Sequence, residues 1–195
     1  MSYRAPRLPD RRGDVVNANA EPSATQEVPW QEVFRRAPVA TLLATGLGSG
    51  LLPKAPGTWG SLLAVLLAEG LFEAAGAWGV AGLAGVSMLI GVPVSGHVAV
   101  LRGRKDPGEI VVDEIAGQSI ALAGLHAVLP VGAPEPLRWG LVILAFALFR
   151  AFDILKPGPV NRVQSLPDGW GVMADDLLAG AFAGILASAA AFFLS

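Results

Sequence analysis

The sequence has no cysteine and only two histidines. Without cysteine, the chain can form no disulfide, no cysteine nucleophile, no zinc ribbon and no iron–sulfur cluster. With only His97 and His126, a histidine-rich metal site is also disfavoured. Polar chemistry in this chain must therefore come from carboxylates, hydroxyls, amides, lysines and arginines.

Charge is the second thing that the sequence has little of. Charged residues make up 15% of the 195 residues and hydrophobic residues 53%, and the mean hydropathy is +0.54. A soluble domain usually has about 25% charged residues, so this deficit argues against an ordinary cytosolic protein and against a disordered chain. The net charge of −2 gives no basic surface for nucleic acid. The length predicts one domain.

Residues 1–36 differ from everything that follows them. Arginines, acidic residues and prolines alternate there, and no apolar segment follows closely enough to make a signal peptide. We predict that residues 1–36 form a polar, flexible tail that ends in a short helix at residues 30–36. Residues 37–195 are then predicted to form a helical membrane domain.

Long apolar segments dominate residues 37–195. Residues 80–101 contain no Asp, Glu, Lys or Arg, and as a helix they would extend about 33 Å, enough to cross a bilayer. Four further apolar segments are shorter or interrupted by charge, at residues 61–78, 115–130, 137–152 and 177–194. The predicted fold class is therefore all-α, a polytopic helical membrane protein with about four or five apolar helices. The buried helices of a compact soluble protein are the alternative.

Basic residues distinguish the predicted loops. Basic residues occur in the tail, where all of them are arginines, and at residues 102–105 and 150–162. Residues 75–79 and 130–136 contain neither arginine nor lysine. Loops rich in Lys and Arg stay on the cytoplasmic side of a membrane protein. We therefore predict that the tail and both basic segments face the cytoplasm.

Most of the remaining carboxylates lie at this predicted cytoplasmic face. Asp113 and Glu114 precede one apolar run, Asp175 and Asp176 precede another, and Asp153 lies near the same face. One acidic pair is explained by an acidic first turn that complements the helix dipole. Two such pairs and a fifth carboxylate favour a functional site. Without histidine or cysteine ligands, carboxylate oxygens suit Mg²⁺ or Ca²⁺.

Four further residues are candidates for binding an anionic group. Arg150, Asp153 and Lys156 are spaced so that neighbouring members share a helix face. Lys54 and Thr58 lie in a turn rich in glycine and proline that offers phosphate donors. A surface ion-pair stripe is the ordinary alternative for Arg150 and Lys156. Five other polar or aromatic residues are interpreted as structural: Glu69, Glu73, His97, His126 and Trp139.

Four motifs follow one another between about residues 46 and 184. They read PGTWGS at 56–61, DPGEIVVDEIAG at 106–117, FRAFDILKP at 149–157 and GVMADDLLAG at 171–180. In this order and spacing they resemble the signatures of the phosphatidylglycerophosphatase A family. The resemblance implies an all-α enzyme of the bacterial inner membrane that uses Mg²⁺. Such an enzyme removes the terminal phosphate of phosphatidylglycerophosphate and leaves phosphatidylglycerol.

The resemblance and the chemistry of the residues together give each group a predicted role. The predicted catalytic and metal-binding residues are Asp113, Glu114, Asp153, Asp175 and Asp176. The predicted phosphate-binding residues are Lys54, Thr58, Arg150 and Lys156. Attack by water and a transient aspartyl phosphate both stay open as mechanisms. The partners expected are the lipid substrate and the bilayer, and the oligomeric state stays open.

Two other functions compete with the phosphatase. The first is a small ion- or proton-coupled transporter, in which carboxylates at the membrane boundary line a path. A transporter usually shows internal repeats and polar residues at the membrane midplane, and the sequence shows no such repeat. The second is a structural membrane subunit, in which the carboxylates would be dispensable.

Overall fold

The computed structural model describes residues 27–130, 132–158 and 168–194, and these residues form six α-helices and one 3-10 helix without a β-strand. The helices are α1 (Trp30–Arg36), α2 (Pro38–Ala44), the 3-10 helix Ser49–Leu51, α3 (Pro56–Arg102), α4 (Val112–Val128), α5 (Glu135–Leu155) and α6 (Asp168–Leu194). The all-α prediction is confirmed for this part of the chain. Residues 1–26 of the predicted tail and residues 159–162 of the predicted basic segment lie outside the described residues. The domain boundary at residue 36 stays a prediction.

Helix α3 consists of two segments that fold back on each other at Gly76. Gly76 has φ 62° and ψ −158°, which is not helical, and it separates residues 56–75 (α3a) from residues 77–102 (α3b). A Cβ atom on Gly79 would lie 2.6 Å from the carbonyl oxygen of Leu71. Residues eight apart are about 12 Å apart in a continuous helix, so the chain reverses here. The sequence predicted two apolar segments at this place.

Helices α4 and α6 run parallel and touch through their glycines. A Cβ atom on Gly180 would lie 2.1 Å from the carbonyl oxygen of Gly117. One helical turn after Gly180, a Cβ atom on Gly184 would lie 3.2 Å from the Cα atom of Ala121. Small residues let membrane helices approach to backbone contact. The contact therefore fixes the register of α4 against α6.

The beginning of α6 differs from the sequence prediction. The sequence predicts an apolar helix at residues 177–194, with Asp175 and Asp176 in its first turn. The helix begins two turns earlier, at Asp168. Both carboxylates therefore lie within the helix, where the dipole of the first turn does not account for them.

The outer surface of the helical bundle is apolar. Helix α3 and residues Val172–Leu194 of α6 are long and apolar enough to cross a membrane, and their most apolar windows are only 22% and 33% buried. Trp78, Leu89 and Phe193 are 87%, 72% and 82% exposed. Soluble proteins rarely expose apolar surface on this scale, and together with the apolar composition it indicates a membrane protein. The predicted number of four or five spans stays a prediction.

A buried network of charged groups joins α3a, α4 and α5 at the end of the bundle near Gly76. The Oε1 atom of Glu69 lies 2.8 Å from Nε2 of His126, and its Oε2 atom accepts a hydrogen bond of 2.8 Å from Arg138. Arg138 also lies 3.1 Å from Glu73 and 3.1 Å from Glu135. Each buried charge here has an opposite partner, as a structural role requires.

We expect Gly180→Ala to lower the free energy of unfolding by about 1–3 kcal/mol, because the added methyl group overlaps the Gly117 carbonyl. Gly124→Ala is the matched control on α4, since a Cβ atom there meets nothing closer than 3.5 Å. The control should be neutral or stabilising, because alanine favours a helix. Thermal unfolding in detergent measures both variants, and equal losses would contradict the proposed backbone contact.

We also expect Arg138→Gln to lower the free energy of unfolding by about 3–5 kcal/mol, because it leaves a buried carboxylate without its guanidinium partner. Arg35→Gln makes the same change at a side chain that is 77% exposed, and it should change stability by less than about 0.5 kcal/mol. Denaturant unfolding compares the two. A small effect of Arg138→Gln would show that the network contributes little to stability.

Candidate active site

Several helix ends meet at the end of the bundle opposite Gly76. Gly57 lies in the first turn of α3a, and a Cβ atom there would lie 2.2 Å from Oε1 of Glu114 and 3.1 Å from Nη1 of Arg150. Asp113 and Glu114 lie in the first turn of α4, and Arg150 lies in the last two turns of α5. The lack of a side chain at Gly57 therefore lets α3a approach both groups directly.

Three carboxylates form one group between α4 and α6. One oxygen of each of Asp113, Glu114 and Asp176 lies within 4.8 Å of the others. Asp113 and Asp176 are 8% and 3% exposed. The Oε2 atom of Glu114 is buried and has no hydrogen-bond partner among the described residues. We call these three residues the carboxylate group; their oxygens fit the ligand preference of Mg²⁺ or Ca²⁺.

Burial and mutual repulsion disfavour the ionised forms of the carboxylate group. Burial raises the pKa of Asp113 well above its usual value, and the neighbouring Glu114 adds to this shift. Burial also raises the pKa of Glu114 to about 8; the charges of Asp176 and Asp153 add to the shift, while a hydrogen bond with Asp113 opposes it. Nearby negative charges and burial both disfavour ionised carboxylates. A bound divalent cation would stabilise the ionised forms.

Arg150 connects α5 to the carboxylate group and to α3a. Its Nη1 atom lies 2.6 Å from Oδ2 of Asp153 and donates a hydrogen bond of 3.4 Å to Oγ of Ser61. Ser61 in turn donates to the carbonyl oxygen of Gly57 at 2.8 Å. These contacts hold the guanidinium group beside Glu114.

Lys156 and Asp175 form a second pair of opposite charge at this end. The Nζ atom of Lys156 contacts Oδ2 of Asp175. Lys156 follows the last residue of α5, and Asp175 is 3% exposed in α6. Asp175 and Asp153 are therefore each paired with a basic residue, whereas Asp113, Glu114 and Asp176 form the carboxylate group. The structure brings the five predicted carboxylates to one end, and the role of each stays a prediction.

Two of the predicted phosphate-binding residues lie beside this arrangement. Lys54 is exposed in the turn before α3, with φ 62°, and its carbonyl oxygen accepts a hydrogen bond from Trp59. Thr58 follows Gly57 in the first turn of α3a and is half-buried. Within the described part of the chain, neither side chain makes a hydrogen bond or ion pair with the carboxylates. Their predicted phosphate contacts therefore rest on the sequence.

Sequence reasoning missed three residues at this end: Gly57, Ser61 and Gln118. Gln118 lies one turn after Glu114 and is fully buried, and neither atom of its amide has a hydrogen-bond partner among the described residues. The spacing of Gly57 and Ser61 is one helical turn, a signal that the sequence does contain. It does not reveal the partner, because the approach to Glu114 depends on how α3a packs on α4.

Comparison with known proteins identifies the family. Residues 42–191 match the family model described as phosphatidylglycerophosphatase A. The chain belongs to the phosphatidylglycerophosphatase A family. It is 36% identical to phosphatidylglycerophosphatase A of Haemophilus influenzae over 171 residues. The aligned region covers 87% of this chain and 99% of that protein. The resemblance seen in the four motifs is therefore confirmed.

Two further relatives carry names that differ from each other in substrate. The chain is 36% identical over 154 residues to phosphatidylglycerophosphatase A of Escherichia coli, covering 74% of this chain and 80% of that protein. It is 39% identical over 154 residues to a putative phosphatidylinositol-3-phosphatase of Bacteroides thetaiotaomicron, covering 76% and 91%. No solved structure matches the chain.

We expect Mg²⁺ to raise the unfolding temperature of the protein, because a cation that binds only the folded state stabilises it by about 2.7 kcal/mol at one hundred times its Kd. Asp113→Asn and Asp176→Asn should each remove most of this shift. Glu73→Gln, at an exposed carboxylate at the opposite end of the bundle, is the matched control and should keep it. Thermal unfolding with Mg²⁺ or with a chelator measures the shift. An unchanged shift in both site variants would place the cation elsewhere.

Proposed function

We propose that this protein is a Mg²⁺-dependent lipid phosphatase that hydrolyses phosphatidylglycerophosphate to phosphatidylglycerol and inorganic phosphate. The observation that carries the proposal is the carboxylate group beside Arg150, in a chain of the phosphatidylglycerophosphatase A family. Because the chain belongs to this family, we favour the phosphatase over the two alternative functions, the transporter and the structural membrane subunit.

The residues at this end have two proposed roles: some bind a cation and others bind the phosphate. Asp113, Glu114 and Asp176 offer the oxygen ligands for Mg²⁺. Mg²⁺ held by these residues would supply positive charge to the phosphate oxygens and would activate a water molecule. Arg150 and Lys156 offset the negative charge of the phosphate, and their pairing with Asp153 and Asp175 orients them.

Two nucleophiles are compatible with this arrangement. In direct hydrolysis, a water oxygen attacks phosphorus, the bond to the glycerol oxygen breaks, and the alcohol leaves with a proton. In the alternative, an aspartate carboxylate attacks phosphorus, the bond to the glycerol oxygen breaks and the alcohol leaves with a proton. Water then hydrolyses the acyl phosphate to the carboxylate and inorganic phosphate. Both routes need the same neutralisation of phosphate charge, and the contacts of Arg150 and Lys156 support both.

We infer that the carboxylate group faces the cytoplasm in a multi-pass protein of the bacterial inner membrane. A Cβ atom on Gly91 of α3b would lie 2.7 Å from Met173 and 3.3 Å from Val112. The last turns of α3b and the basic residues 102–105 therefore lie at the same end as the carboxylates. Basic loops favour the cytoplasmic side, and α3a, α3b and α6 are each long enough to cross the bilayer.

A second substrate has specific support. The relative from Bacteroides thetaiotaomicron is named a putative phosphatidylinositol-3-phosphatase. Both lipids present a phosphate monoester on a polyol headgroup, so the same carboxylates and basic residues would serve either reaction. The two substrates therefore have to be compared in one assay.

We expect the purified protein in detergent to release phosphate from phosphatidylglycerophosphate when Mg²⁺ is present, and to release it more slowly from phosphatidylinositol 3-phosphate. Asp113→Asn and Asp176→Asn should reduce kcat by at least about 10³-fold, because each removes a charged ligand from the centre of the site. Glu73→Gln should keep wild-type turnover, because Glu73 is exposed at the opposite end of the bundle. Phosphate release from neither lipid would refute the enzyme assignment, and full activity of a site variant would remove that residue from the mechanism.

A further inference from the structure

A concave surface lies on α3b, outside the carboxylate group. It has a volume of about 740 Å³, within the range of roughly 300–1,000 Å³ of sites that bind small molecules. We call it the α3b groove. Its lining includes Val92, Gly96, Val100, Arg104, Lys105 and Trp170.

The α3b groove is mostly apolar along the helix, where His97 is the polar exception, and it is basic at one end. Val92, Gly96 and Val100 are spaced by four residues and line its length. Beyond the end of α3b, Lys105 is exposed, and the Arg104 side chain is 51% exposed with its Nη1 atom 3.8 Å from Glu27. At that distance the guanidinium group keeps donors for a second partner. An apolar channel that ends in two cations complements an acyl chain that ends in a phosphodiester.

The α3b groove shares a wall with the carboxylate group. Val92 lines the groove and packs against the core cluster that contains Val112 and Met173. Val112 directly precedes Asp113, and Met173 lies two residues before Asp175. A molecule held in the groove therefore lies across one layer of side chains from the residues that would act on its headgroup.

We propose that the α3b groove binds the unreactive part of the substrate lipid, with an acyl chain along α3b and the phosphodiester at Arg104 and Lys105. This inference rests on the proposed function, because it assigns a place to the rest of the same lipid. Contacts with parts of a substrate that do not react hold the reacting group in position. Here they would present the terminal phosphate to the carboxylate group.

The test separates the acyl chain from the phosphodiester. Val100→Trp adds bulk inside the groove. Leu89→Trp is its matched control, because the two side chains are similarly exposed on the same helix (81% and 72%) and only Val100 lines the groove. Arg104→Gln with Lys105→Gln removes both cations, and Arg35→Gln with Arg36→Gln removes two exposed arginines of α1 as its control. Each variant is assayed with long-chain phosphatidylglycerophosphate in mixed micelles and with its deacylated, water-soluble counterpart.

We expect Val100→Trp to raise KM about tenfold for the long-chain lipid only. The double variant at the two cations should raise KM about tenfold for both substrates, as the loss of a charge-assisted hydrogen bond predicts. Both controls should match the wild type. Equal KM values for Val100→Trp and Leu89→Trp, or no effect of removing the cations, would overturn the assignment of the groove even while the wild type hydrolyses the lipid.

A binding measurement keeps the groove testable without turnover. Phosphatidylglycerol with a photoreactive diazirine in its acyl chain should cross-link to residues 92–100 of the wild type, and Val100→Trp should reduce this labelling. Labelling elsewhere on the bundle would refute the groove. If the wild type is labelled in the groove but hydrolyses neither lipid phosphate, the proposed function fails and the groove remains a lipid site.

Discussion

The backbone contact between α4 and α6 determines where the charged groups of this protein lie. Asp113 precedes Gly117 by four residues, and Asp176 precedes Gly180 by four residues. Because the two glycines touch and the helices run parallel, the two carboxylates come to the same level on facing helices. In a membrane there is little hydrophobic gain from packing helices together, so close contact between small residues has to hold them. The geometry of the carboxylate group is a consequence of this contact.

The two buried charged regions of the bundle differ in their balance of charge. Near Gly76, the buried Glu69 contacts Arg138 and His126, and the two other carboxylates on Arg138, Glu73 and Glu135, are 68% exposed to solvent. At the other end, Arg150 is already paired with Asp153, so the carboxylate group keeps an excess of negative charge. Burying such an excess is costly, so the second region would gain from a bound cation. This difference separates a structural network from a site.

The sequence predicted those features that depend on composition and short-range pattern. The all-α class followed from the apolar segments, and the reversal at Gly76 from the charge-free loop between two of them. The five carboxylates and two basic residues do lie at one end. The sequence did not predict that α6 begins at Asp168, because the glycines at 169 and 171 disfavour a helix. Nor did it predict the approach of Gly57 to Glu114, which depends on how two distant helices pack.

The α3b groove bears on how relatives of this family distinguish their lipids. Phosphatidylglycerophosphate and phosphatidylinositol 3-phosphate share their acyl chains and their phosphodiester, and they differ only in the polyol that carries the terminal phosphate. A groove that holds the shared parts contributes equally to both and cannot discriminate between them. In the proposed function, the carboxylate group acts on a phosphate monoester that both lipids also share. With both shared parts held in this way, selectivity would come from side chains that contact the polyol.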